Sequence, residues 1–155
     1  MPDIYTPEWY DAVKDAINAA VDGLSDTPEG AWTICVEIVG DGASPYTPAD
    51  GMRRFLIRIE QGRCLWYREL DADPDEKLDY RFTGDASVFD GIAAALDDPI
   101  EIVLHGSIKV RGDMRFLLRQ AELVNVLLGA YTSGVDTTWP LGRPPYAAVA
   151  GAVAP

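Results

Sequence analysis

The sequence predicts an α+β domain built on a five-stranded, mainly antiparallel sheet covered by helices. Three observations carry this. Five short segments alternate apolar and polar residues, helical spacing precedes the first and returns around the last two, and nearly every junction carries a turn or cap residue.

The first helix is announced by Thr6-Pro7-Glu8: an N-cap candidate, proline in the first turn and an acid near the positive helix end. Tyr10, Val13, Ile17, Val21 and Leu24 then recur at helical spacing through about Val21, and Gly23 is the stop. From Ala31 the period becomes two, with Trp32, Ile34, Val36 and Ile38 on one face and Thr33, Cys35 and Glu37 on the other. A loop rich in glycine and proline runs from Gly40 to Met52 and is long for a plain hairpin; it reads as a surface loop or a lid. Arg53–Glu60 and Arg63–Leu70 are strands joined by the tight turn Gln61-Gly62.

An acidic connection, Asp71 to Asp79, leads to the most informative stretch. Tyr80-Arg81-Phe82-Thr83 alternates, and Asp85 is placed to cap a helix over Ala86–Asp97. Asp98-Pro99-Ile100-Glu101 opens a second, short helix that ends at Gly106. Ser107–Arg111 alternates as the fifth strand, and Gly112-Asp113 turns into a last helix from Met114 to about Leu128. That helix is amphipathic in its first half and apolar nearly all round in its second, so it needs cover on more than one side. Residues 1–130 are expected to form one domain, and 131–155 an apolar tail rich in proline and alanine that either hangs loose or folds back as a lid.

A net charge of −12 argues against nucleic acid and against attraction to an anionic membrane. The charge is uneven: residues 53–70 hold five bases and two acids, and 102–155 five bases and three acids, against long acidic stretches elsewhere. If the fold brings these segments together, the protein carries a positive patch; otherwise Arg54, Arg58, Arg68, Lys109, Arg111, Arg115 and Arg119 are a solvated face. Met1-Pro2-Asp3 opens no leader, and no apolar run is long enough for a transmembrane span, so a cytoplasmic location is expected. Cys35 and Cys64, each inside a strand, read as buried free thiols.

Catalytic chemistry is sparse. His105 is the single histidine, which suits a helix end and supplies no metal site; no nucleophile elbow or phosphate-cradling glycine motif occurs. No catalytic residue, metal or cofactor is expected.

The succession Tyr80-Arg81-Phe82-Thr83-Gly84-Asp85, Val88-Phe89-Asp90-Gly91-Ile92, Pro99 and Gly106-Ser107-Ile108-Lys109-Val110-Arg111-Gly112-Asp113, followed by an apolar helix, resembles the sterol carrier protein type 2 domain. The likeness in order and spacing covers Tyr80 to Leu128 and is weaker over Ala31 to Leu70. It implies an apolar cavity between sheet and helices and a non-enzymatic role in binding, transferring or presenting a fatty acyl, sterol-like or other lipid. On that basis Phe89, Ile92, Leu96, Ile100, Val103, Leu104, Met114, Leu117, Leu118 and Ala121 are the expected ligand-binding residues. Helical periodicity alone fits an ordinary close-packed core equally well. The alternative function is an accessory module, whose apolar last helix meets a second copy or a partner enzyme.

Overall fold

Strand signals and strands coincide closely. In the structure, a computed structural model that describes residues 2–23, 29–72, 77–120, 129, 135–144 and 146, the strands are β1 (Ala31–Val39), β2 (Met52–Glu60), β3 (Arg63–Leu70), β4 (Tyr80–Asp85) and β5 (Ile108–Arg111). They form one sheet in the order β3-β2-β1-β4-β5. Three of the four junctions are antiparallel; the third in this order, β1 to β4, is parallel, with Ile34 opposite Tyr80 and Val39 opposite Asp85. Gln61 and Gly62 turn β2 into β3 with φ of 54° and 81°, the left-handed pair that matches strand twist.

The helices are α1 (Pro7–Val21), α2 (Ala86–Ala93), α3 (Pro99–Leu104) and α4 (Met114–Arg119). Residues 121–128, the expected second half of the last helix, lie outside the described residues. Two caps are the ones the sequence signals, Thr6 Oγ1 accepting from Trp9 N and Asp98 Oδ1 from Ile100 N; Asp113, expected only as part of a turn, caps α4 by accepting from Phe116 N on Oδ1. Among the described residues, no helix is long and apolar enough to cross a membrane.

Two expectations around α2 are corrected. Asp85 makes no side-chain cap bond. The role falls to Asp41 from the loop after β1, whose Oδ2 accepts from Ser87 N at 3.1 Å and Ser87 Oγ at 2.5 Å. Burial pushes the Asp41 carboxyl up, but these bonds and those from Ser44 N and Ala43 N outweigh it, and its pKa lies below the ordinary value. Second, α2 stops at Ala93 rather than running to Asp97. Ala95 adopts φ 60°, its N–H bonds to Ile92 O, and Leu96 N–H reaches back to Gly91 O. This is a Schellman stop with alanine where glycine is usual. Alanine in that region costs about 1–2 kcal/mol, and glycine returns part of the gain as backbone entropy. Ala95→Gly is therefore expected to raise stability by about 0.5–1 kcal/mol; a calorimetric melting temperature that falls would contradict the strained stop.

The core begins with aromatic residues. Tyr10 stacks on Tyr67 with ring centroids 5.3 Å apart, and Tyr67 on Phe55 at 5.1 Å, pinning α1 to β2 and β3. Val13, Ile17 and Val21 continue that buried stripe. The described tail packs here too: Thr138 pairs with the first residues of the chain through Ile4 N and Pro2 O, and Trp139 lies edge-on to Tyr46 at 5.8 Å. Cys35 and Cys64 are buried free thiols, and burial pushes Cys64 up to about 11.

Candidate functional site: an apolar pocket between sheet and helices

Alternation along the strands puts one apolar residue in two on the helix side of the sheet. Ile34 and Val36 of β1, Phe55, Ile57 and Ile59 of β2, and Phe82 of β4 make most of a continuous floor, completed by Tyr67, Ile108 and Val110. The four described helices stand over it, α1 through Val13 and Ile17, α2 through Phe89 and Ile92. Ile100, Val103 and Leu104 of α3 and Met114, Leu117 and Leu118 of α4 complete the wall. The layers do not meet. They enclose a pocket of about 270 Å³. Among the described lining residues Tyr67 alone carries a polar side-chain group, and none brings a carboxylate, imidazole, thiol or amine.

The pocket has a deep end and a mouth. Phe89, Ile92, Ile108 and Phe55 are buried, whereas Leu104 is 74% and Leu118 69% exposed. The mouth therefore lies between α3 and α4.

Of the expected ligand-binding residues, Phe89, Ile92, Ile100, Val103, Leu104, Met114, Leu117 and Leu118 come together around this space. Leu96 does not. The stop after Ala93 takes it off the helical arc, and it stands half exposed. Ala121 lies outside the described residues. The floor and α1 were absent from that expectation, although their alternation and helical spacing mark the same face. None of the described tail residues lines the pocket.

Behind α2 sits a polar knot that sequence reasoning missed. Asp90, fully buried, accepts three hydroxyl hydrogen bonds of 2.5 Å each: Tyr5 on Oδ1, and Ser44 and Tyr146 on Oδ2. A carboxylate has acceptor sites for all three. Ser44 Oγ in turn accepts from Tyr46 N at 3.1 Å, and the Tyr46 hydroxyl donates to Gly142 O at 2.8 Å. Burial, the bond to Asp90 and its charge push the Tyr146 phenol far above its ordinary pKa. The knot ties the chain's first residues, the Gly40–Met52 loop and the tail to α2, and so fixes the helix that presents Phe89 and Ile92 to the pocket. A charged residue inside Val88-Phe89-Asp90-Gly91-Ile92 was the available signal.

His105 closes α3 in the C-cap position and is exposed, away from the lining. Among the described residues, no group of three His, Cys, Asp or Glu side chains could hold a metal ion.

No protein-family model matches the chain, and no curated protein matches it in sequence. Solved structures do. A crystal structure of sterol carrier protein 2 superposes with a TM-score of 0.68 over 84% of this chain and 98% of its own, at 14% identity. The chain has the sterol carrier protein 2 fold. A second structure of that fold, a conserved hypothetical protein from Thermus thermophilus described as possibly a sterol carrier protein, superposes with a TM-score of 0.65. It is 12% identical and is covered over 92% of its length, against 89% of this chain. At such identity the sterol carrier protein 2 likeness is one of architecture.

Proposed function

We propose that the protein binds an apolar molecule between its sheet and helices and carries or presents it without chemical change. Fatty acyl chains, sterol-like rings and other lipids of matching size are the ligand class. The observation that carries this is the pocket. Protein interiors normally close to crystal-like density with few voids larger than water. Here about 270 Å³ stays open inside an almost wholly apolar lining, close to the lower end of ordinary ligand sites at about 300 Å³. The non-catalytic part of the reading rests on the described lining residues, which offer no acid, base or nucleophile of ordinary reactivity. Architecture shared with sterol carrier protein 2 supports the same reading by analogy of fold.

A second reading has one specific observation in its favour. Leu104 and Leu118 stand exposed beside the mouth, where a partner enzyme or second copy could cover them.

Filling the pocket separates ligand binding from ordinary packing. Leu117→Trp and Leu118→Trp place an indole where a ligand would lie. We expect wild-type protein to bind an apolar fluorescent probe, and at least one variant to lose that binding with its melting temperature nearly unchanged. A closed core behaves oppositely: the wild type binds no probe, and the insertion at Leu117, the less exposed of the two, costs about 1–3 kcal/mol. That outcome would defeat the carrier reading. Native mass spectrometry of the wild type adds the second comparison, since co-purified lipid supports a carrier and a ligand-free dimer supports the interaction module.

A further inference from the structure

The four described helices lie on the pocket side of the sheet, and the opposite side, around the buried Cys35 and Leu56, is rich in charge. The register places Arg54, Arg58, Arg68, Arg81, Lys109 and Arg111 on that outer face, with Glu37 and Glu60 between them. Six of the chain's 13 lysines and arginines are thus gathered on one sheet face of a protein with 25 acids. Arg81 and Arg111 are direct cross-strand partners, as are Thr83 and Lys109. Like charges in that relation destabilise a sheet.

Glu37 relieves part of this strain. Its carboxylate takes bonds from Arg54 at 2.9 Å, Arg81 at 2.5 Å and Thr83 at 2.9 Å. Burial pushes this carboxyl up, but the hydrogen bonds and the two arginine charges hold its pKa below the ordinary value. Lys109 and Arg111 remain exposed at one side of the face and Arg68, stacked over Trp66 at 4.4 Å, at the other. A groove of about 340 Å³ lies where β4 and β5 meet at Arg81 and Arg111, with Asp79 and Gly112 at its wall.

We propose that this outer face docks a short acidic segment of a partner protein. Guanidinium groups match carboxylates in geometry as well as charge. The size of the patch selects a short segment over an extended polyanion. Five strands at about 4.8 Å spacing make a face about 20 Å across, and screening confines its field to about 8 Å at physiological salt. A nucleic acid or bilayer continues past that edge towards a strongly acidic remainder, including the exposed Glu8, Asp11 and Asp15 of α1. A bilayer on this face would also meet the molecule with its pocket mouth turned away. The proposal does not depend on what the pocket holds.

The test uses the full chain and a short synthetic peptide of glutamate and aspartate carrying a fluorophore, followed by anisotropy at about 0.15 M salt. We expect saturable binding that weakens about tenfold or more in Lys109→Glu/Arg111→Glu and in Arg68→Glu. Arg115→Ala/Arg119→Ala, which removes exposed cations from α4, should leave the affinity unchanged. Arg68→Glu lies on the other side of the face and serves if the β5 double variant does not fold. Absence of peptide binding overturns the proposal, as does equal weakening by the α4 variant, which would mark unspecific charge attraction. Binding to phosphatidylglycerol vesicles in place of the peptide would overturn it in favour of a membrane surface.

Discussion

Asp90→Ala is expected to lower stability by about 3–5 kcal/mol, since it leaves three hydroxyl donors without their acceptor at about 1–3 kcal/mol for each that stays buried. The three hydroxyls of Tyr5, Ser44 and Tyr146 converge on this one side chain, and alanine offers them nothing. For a chain of this length the loss corresponds to a fall of about 10–15 °C in melting temperature. Asp90→Asn keeps the volume but turns one oxygen into a donor, so it should fall between alanine and wild type. Tyr146→Phe removes a single bond and should cost about 1.5–3 kcal/mol. Melting curves for the three variants in that order would establish the knot; an alanine variant within a few degrees of wild type would dismiss it.

Gly40→Ala should be nearly as damaging, through a different cause. A Cβ at this position would lie 1.7 Å from the Pro48 carbonyl oxygen, where the two ends of the loop cross. The crossing is closed by Gly40 N to Gly51 O and Gly51 N to Pro48 O, both 2.9 Å. Backbone meets backbone there, so no side chain can swing aside. Opening the neck is expected to cost about 3 kcal/mol or more, combining forced displacement with weakened bonds from Ser44 to Asp90. Because both substitutions then damage one network, Gly40→Ala combined with Asp90→Ala should cost clearly less than the separate losses added. Strict additivity would show that the loop and the knot are independent.

The strands and the pocket wall were legible because their signals are local. Alternation marks Phe55, Ile57 and Ile59, and Asp98-Pro99 and Asp113 announce helices that start where they say. Leu96 was misplaced because the α2 stop uses Ala95 in a left-handed conformation, where only glycine would have given warning. The Asp85 cap failed for a tertiary reason: Asp41 reaches Ser87 from 46 positions away. The knot was hidden for the same reason. Tyr5, Ser44 and Tyr146 come from a terminus, a loop and a tail, and nothing local in any of them points at Asp90. Alternation likewise cannot state strand order, so the parallel junction between β1 and β4 was invisible.

That junction also sets the sequence in which the molecule can assemble. β1, β2 and β3 follow one another as antiparallel neighbours, and β4 and β5 pair across α2 and α3, so each half can zip by itself. The seam between halves joins residues 46 positions apart, as between Thr33 and Asp79 or Glu37 and Thr83. Long loops must close before such contacts return any free energy, so the seam is expected to form after the pairing within each half. Glu37 sits on it like a clasp, gripping Arg54 on one half and Arg81 and Thr83 on the other. Weakening that clasp should leave each half's early pairing intact and speed the parting of the two along the line between three strands and two.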